Sequence, residues 1–234
     1  MGSFFDGIKS FFKALSLIFR NQEVFQWFKK TSIVAFIVAL IVMAILALSG
    51  ATVISWLGAH WVADLGAVLW VLFILYFSGT LCITVMSAVF GLWGNEHRLM
   101  SALLKEPGLV LSKAKLSDMR SEIFGATWSL LAAFISLPFI FFVPLMPIGV
   151  LIMAIAFGRE AVCAARRILH QCQRTTAVDE KMPTFSFYIG LGFCPVLLTL
   201  VPLVGWVMWP VLLLSALIGV MKLQAPTRPL LKTE

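Results

Sequence analysis

Hydrophobic and polar positions divide this chain into four long uncharged blocks separated by short charged segments. Thr31 to Ala63 is 33 residues without a formal charge, Leu65 to Asn95 is 31, Ile123 to Gly158 is 36 and Thr184 to Met221 is 38. Each exceeds the roughly 20 residues that an α-helix needs to cross ~30 Å of hydrocarbon. The N-terminal stretch is patterned differently. From Ser3 to Arg20, Phe4, Ile8, Phe11, Leu15 and Ile18 recur at steps of four and three, with Lys9, Lys13 and Arg20 elsewhere around the helix. That period predicts, within residues 1–30, an amphipathic helix lying in the plane of a membrane interface. Lys29 and Lys30 close this segment, placed to snorkel at the boundary before the first block.

The first two blocks pair with each other. No lysine or arginine lies in residues 58–64, and Trp56 and Trp61 supply aromatic anchors there. A turn near Gly50 to Asp64 makes residues 31–95 a transmembrane helical hairpin with both ends on one side. Residues 96–122 carry five basic and four acidic side chains and continue as a polar helical segment with a solvated face.

The last two blocks are interrupted near their centres. Residues 123–158 hold Pro138, Pro144 and Pro147, and residues 184–221 hold Pro195, Pro202 and Pro210. Val143-Pro144-Leu145 and Val201-Pro202-Leu203 sit near the two midpoints, so the second block reads as a degenerate repeat of the first. Proline lacks a backbone donor and clashes with the preceding turn, which makes Pro144, Pro147, Pro202 and Pro210 the candidate breaks. Each block is either one tilted span kinked at proline or a hairpin of two short helices. Charge selects between these. Basic residues number five in 1–30, none in 58–64, five in 96–122, five in 159–183 and three after 221. Hairpins put all 18 on one face, and the positive-inside rule favours that arrangement with both termini cytoplasmic. Two arms sharing about 36 residues reach roughly 24 Å each at ~1.5 Å per residue, so they penetrate without crossing. A broken backbone at that depth must be buried in protein or face a water-filled cavity. Contacts with the long hairpin and a homo-oligomer follow as expectations.

Composition agrees with the pattern. Hydrophobic residues make up 61% and charged ones 12%, with a mean hydropathy of +0.99, whereas charged residues approach a quarter of a soluble domain. The expected class is an all-α integral membrane protein: an interfacial helix, two long transmembrane helices and two proline-broken, half-penetrating hairpins. No linker divides the chain, so a single membrane domain is expected over 1–234, ending in a basic segment 159–183, the last hairpin and a tail 222–234. Asp6, Lys9 and Lys13 interrupt the first apolar stretch and no small-x-small site follows, which argues against a cleaved signal peptide. The net charge of +7 is scattered over short loops and does not point to nucleic acid. Cys82, Cys163, Cys172 and Cys194 share no CxxC spacing and read as packing or loop thiols. His170 and Cys172 lack two further ligands at metal spacing, so no metal and no cofactor are expected.

The closing segment, Thr199-Leu-Val-Pro202-Leu-Val-Gly-Trp-Val-Met-Trp-Pro210-Val-Leu-Leu-Leu-Ser-Ala, resembles that of the CysZ-type sulfate permease family, with two prolines eight residues apart carrying the match. The order of elements is similar to that family over nearly the whole chain, as in a divergent member. Where the family has a Gly-Leu/Ile-Arg motif and a Leu-Pro pair before its first long span, this chain has Val24-Phe25-Gln26-Trp27-Phe28-Lys29-Lys30. The family's Pro-Phe element after the second span is absent around Val89-Phe90-Gly91. The resemblance implies an inner-membrane permease for sulfate, with Lys29 and Lys30 standing where the family carries its basic motif.

The first expected function is therefore permeation of a small inorganic anion. No Asp, Glu, Lys or Arg lies inside the four blocks, which argues against a carboxylate proton relay. Half-helix ends at the proline breaks offer backbone amides to an anion instead. Arg159, Arg166, Arg167 and Arg174 read as topology anchors and contacts for anionic headgroups, with an anion vestibule as the sharper alternative. The second expected function is a non-transporting membrane scaffold, in which small residues such as Ala35 and Ala39 let helices approach. A polar path along Ser78, Thr80, Thr84 and Ser87 would favour transport. No nucleophile, base and orienting group form a constellation, so an enzyme is not expected.

Overall fold

The computed structural model of the protein describes residues 2–57, 66–68, 70, 99–100, 103, 127–128, 131–132, 134–136, 138–139, 142–172, 183–199, 204–205 and 208–224. These are almost wholly helical, with no strand among them. The helix α1 spans Phe4–Arg20, α2 Gln22–Leu57, α3 Met146–Cys172, α4 Phe185–Thr199 and α5 Met208–Gln224.

Local sequence sets the start of α1 and its junction with α2. At the start of α1 a capping box forms: Asp6 N–H donates to Ser3 Oγ at 3.3 Å, and Ser3 N–H donates to Asp6 Oδ2 at 2.9 Å. Two of the four orphan amide donors at the helix start are thereby satisfied. At the other end a single residue serves two helices. Asn21 N–H donates to the Leu17 carbonyl at 2.9 Å, while Asn21 Oδ1 accepts from the amides of Glu23 and Val24 at 2.9 and 3.2 Å. Its extended backbone breaks the helix there, and α2 starts at the next residue. Lys29 and Lys30 therefore lie inside α2, not in a segment preceding it.

At ~1.5 Å per residue, the 36 residues of α2 run for roughly 54 Å. Gly50, where the sequence suggested a turn, lies within the helix. The chain has returned by Trp70, whose Nε1–H donates to the Leu46 carbonyl at 3.0 Å. Within α2, Val24, Trp27, Thr31, Ala35, Ala39 and Val42 are buried at steps of three and four, while Ile33, Phe36, Ile37, Leu40, Ile41, Ile45 and Leu48 are exposed. Among the described residues, two helical stretches, Gln22–Ser49 and Met146–Leu169, are long and apolar enough to cross a membrane.

Proline positions account for the other boundaries. Val143–Leu145 forms a 3-10 turn containing Pro144, and α3 starts at Met146 with Pro147 in its first turn. Pro210 occupies the first turn of α5. A missing N–H costs nothing at such positions, because the first amides of a helix have no intrahelical partner. Pro195 lies inside α4, which continues past it to Thr199. Pro202 lies outside the described residues. The helix α3 does not stop at Gly158, where the uncharged block ends. It runs 27 residues, about 40 Å, carrying Arg159, Glu160, Arg166 and Arg167 in the same helix.

Helices α1, α3, α4 and α5 pack through glycines that bring backbones together. A Cβ on Gly158 would lie 2.0 Å from the Tyr188 carbonyl oxygen, one on Gly192 2.0 Å from that of Ala154, and one on Gly190 2.0 Å from that of Phe4. All three have the geometry of Cα–H···O=C contacts at helix crossings. Pairing of residue 158 with 188 and 154 with 192 makes α3 and α4 antiparallel. The α1 helix runs the same way as α4: the Thr184 hydroxyl donates to the Gly2 carbonyl, and Gly7 meets the backbone of Gly190 and Leu191. It runs opposite to α5, since Asp6 pairs with Lys222 at 3.4 Å and Ser10 abuts Gly219.

At the centre sits α5, where every residue from Met208 to Val220 is buried. Trp209, Leu212, Leu213, Phe157, Phe187 and Leu191 fill the space around it. The face of α1 turned toward this core is Gly7, Ser10, Phe11, Ala14 and Ile18. Phe11 and Ile18, read from the sequence as part of the membrane stripe, are thus packed on protein. The outward row is instead Phe5, Phe12 and Phe19, 67%, 59% and 77% exposed. Apolar residues cover about half of the helix circumference, and periodicity alone does not say which half meets protein.

Candidate functional site

Among the described residues, polar groups converge on α3. Arg159, Cys163 and Arg166 are spaced by four and three, so they share one face of the helix. The close approach of Gly158 to the Tyr188 backbone sets α4 beside this face. Arg166, Cys163 and Arg159 are the groups that act electrostatically on the Tyr188 phenol. Arg159 and Cys163 are exposed, while Arg166 and Tyr188 are half-buried, so the cluster opens outward from the bundle. On the adjacent face lie half-buried Arg167 and Glu160, whose side chain is only 6% exposed. Two guanidiniums, a phenol hydroxyl and a thiol on one rim can donate several hydrogen bonds to an oxyanion, with arginine suited to a bidentate grip.

Glu160 and Tyr188 were not singled out from the sequence. The signal for Glu160 was nonetheless present: Met153, Ala156, Phe157, Glu160, Ala161 and Ala164 continue one buried face across the block boundary. Tyr188 becomes legible only once Gly158 is known to touch its backbone.

Lys29 and Lys30 are both exposed on α2. Lys29 borders an open groove of about 350 Å3 whose other walls are Phe25, Phe28, Ser32, Ile33, Phe36 and Ile37. Apart from the lysine and one serine hydroxyl, the lining is apolar, and no second basic helix meets it among the described residues. Nothing there resembles the convergence at Arg159 and Arg166. Of the candidate breaks, Pro144, Pro147 and Pro210 occur at helix starts as described. Ser78, Thr80, Thr84, Ser87 and Arg174 lie outside the described residues. Among the described residues no three His, Cys, Asp or Glu side chains gather as a metal site would require.

One ion pair lies apart from the cluster. The Asp6 carboxyl is held at a pKa of about 2, below the usual 3.8, first by the Ser3 amide, then by the Ser3 hydroxyl and by Lys222. It ties the start of α1 to the end of α5 and has a capping role.

No family model, curated protein or solved structure matches this chain.

Proposed function

We propose that this chain is a multi-pass inner-membrane permease or channel-like protein for a small inorganic anion, with sulfate the first candidate by its resemblance to CysZ-type permeases. The observation that carries this reading is the cluster of Arg159, Cys163 and Arg166 on α3 facing Tyr188 of α4. Two guanidiniums gathered with a phenol hydroxyl on one rim suit an oxyanion, which they can grip through charge-assisted hydrogen bonds. In this reading α2 crosses the membrane as one arm of the long hairpin, α1 lies at the interface, and the proline-broken blocks turn back without crossing. All 18 lysines and arginines then fall on one face, so an anion approaches from a positive surface. Arg159 and Arg166 form the vestibule, where their planar guanidiniums replace part of the anion's water. Lys29 and Lys30 act further out as point charges at the boundary, beside an apolar groove that gives the anion no other partner. Buried Glu160 sets a negative charge beside the arginines and bears on how tightly an anion is held.

Uptake of labelled sulfate into liposomes containing the purified protein tests this. Arg159→Gln with Arg166→Gln should lower the uptake rate at least tenfold at normal insertion, and Lys29→Gln with Lys30→Gln by less than threefold. No uptake by the unaltered protein, with sulfate, thiosulfate and phosphate each tried, would leave the membrane scaffold as the function.

A further inference from the structure

The groove beside Lys29 on α2 has an order of chemistry along its length. Phe25, Phe28 and Lys29 stand at the end nearer Asn21, Ser32 follows within a turn, and past it the lining is Ile33, Phe36 and Ile37. Phe28 and Ser32 are half-buried, while Lys29, Ile33, Phe36 and Ile37 are exposed. The groove therefore follows the seam between the buried row of α2 and its outer face. Lys30 does not line it, because one residue turns a helix by about 100°.

Ser32 differs from three other hydroxyls on these helices. Ser10, Thr52 and Ser215 donate to the carbonyls of Asp6, Leu48 and Val211, four residues back, at 2.8, 3.0 and 2.6 Å. That carbonyl is the usual partner of a helical hydroxyl. The Ser32 hydroxyl is covered from solvent yet makes no hydrogen bond, and a change of χ1 rotamer is enough to present it to an acceptor seated in the groove. Dimensions limit the occupant. A volume of about 350 Å3 is that of a site for one small ligand. Lys29 to Ile37 spans roughly 12 Å at ~1.5 Å per residue, against ~15 Å for one leaflet's half of the hydrocarbon. A second helix laid there would bring backbone groups already bonded within it and leave Ser32 without an acceptor.

We propose that this groove is a binding site for one anionic phospholipid. The phosphate sits on the Lys29 ammonium, an ester carbonyl accepts from the Ser32 hydroxyl, and an acyl chain lies along Ile33, Phe36 and Ile37. Cation, hydroxyl and hydrocarbon then follow one another in the order in which a glycerophospholipid presents phosphate, ester and chain. The headgroup must carry net negative charge, because among the described residues Lys29 is the only cation lining the groove and a zwitterionic headgroup brings its own cation to the phosphate. The proposal rests on α2 crossing the membrane, as the permease reading does, but not on transport.

The test reconstitutes the full chain in phosphatidylcholine vesicles holding a small fraction of phosphatidylglycerol with a diazirine midway along one acyl chain. After irradiation, crosslinked residues are mapped by peptide mass spectrometry. Labelling should concentrate on Ile33, Phe36 and Ile37, and unlabelled phosphatidylglycerol should suppress it although phosphatidylcholine is already in large excess. Lys29→Gln should lower the yield about tenfold, as for the loss of a hydrogen bond to a charged group. Lys30→Gln should lower it by no more than about twofold, as for a charge acting through water and salt. Ile33→Trp, which fills the groove, should lower the yield with Lys29 intact. All three substitutions are at exposed positions, and thermal unfolding in detergent checks that each variant is folded. Equal losses for the two lysines would mean general attraction to a positive surface and overturn the proposal. Labelling spread evenly over the outer face of α2 would overturn it too, as would a groove left unlabelled because a second copy of the chain covers it. No anion flux is read, so failure here and failure of the permease reading are separable.

Discussion

Two helical stretches of this protein, α2 from Thr31 onward and α5 as far as Met221, are uncharged and without an amphipathic face, yet they meet opposite surroundings. Only 22% of the most apolar stretch of α2 is buried within the protein, whereas α5 is buried without interruption from Met208 to Val220. An uncharged, non-amphipathic helix is consistent with a lipid span or with the core of a bundle. Length does not separate them, since the 17 residues of α5 reach about 25 Å, close to the thickness of a bilayer core. What separates them is what their neighbours present. Gly158, Gly190 and Gly192 let α1, α3 and α4 close around α5, while Ile33, Ile37, Leu40 and Ile41 along α2 face outward. Burial in lipid and burial in protein look alike in a single helix and differ only in its partners.

The most severe way to break this comparison is to push α4 away from α3. A Cβ at Gly192 would meet the Ala154 carbonyl oxygen at 2.0 Å, a backbone atom that no rotamer change can move. Gly192→Val should cost on the order of 4 kcal/mol, at the upper end of single substitutions. It should also open α5 to labelling at Leu212→Cys. The control is Ala44→Val on the exposed side of α2, which should change stability by less than about 0.5 kcal/mol. Thermal unfolding in detergent measures both. A mild effect at Gly192 would mean that the helices slide apart easily and that the enclosure of α5 is not held by backbone contact.

Truncating a leucine on each helix gives a smaller and more direct contrast. Leu212 is 0% exposed and Leu40 is 49% exposed. Leu212→Ala should cost about 3 kcal/mol, because the surrounding bundle relaxes only partly into the cavity. Leu40→Ala should cost under about 1 kcal/mol, since detergent or lipid fills the space. Equal losses would mean that protein, not lipid, covers the outer face of α2, and the comparison would fail on that side.

Parts of this architecture were legible in the sequence because they depend on local chemistry. The step pattern and the Ser3-x-x-Asp6 cap define α1, the run of uncharged residues defines α2, and Val143-Pro144-Leu145 marks the start of α3. Other parts are not legible, because a charged residue marks the end of an uncharged block without ending the helix. Arg159 and Glu160 mark the end of an uncharged block, but nothing between Gly158 and Cys172 breaks a helix, so α3 continues. Lys29 and Lys30 likewise mark the start of an uncharged block inside α2, while the break between helices is Asn21. Which half of α1 meets the core depends on where α4 and α5 lie, and no local pattern in α1 records that. The same holds for the candidate site: the spacing of Arg159 and Arg166 was visible, but their meeting with Tyr188 depends on a glycine contact between distant segments.

The smallest expected effect concerns the end of α5, where Lys222 reaches Asp6 of α1; among the described residues of α2 no ion pair to α1 is seen. Asp6 has a folded-state pKa of about 2 against 3.8 unfolded. Because the folded value is the lower one, the unfolded chain binds the proton more tightly. The carboxylate therefore contributes stability that is fully present above about pH 4 and is lost as pH falls toward 2. Its main cause is the Ser3 amide rather than Lys222, so Ser3 and Asp6 should matter more than the lysine. Ser3→Ala should cost about 1 kcal/mol at neutral pH, as for other helix caps, and Lys222→Ala no more than about 0.5 kcal/mol, as for an exposed pair. Asp6→Asn should flatten the dependence of the melting temperature on pH between 4 and 2. Lys222→Ala should leave most of that dependence in place. If Lys222→Ala abolished it, the ion pair to α5 and not the cap within α1 would be what holds the Asp6 carboxyl down.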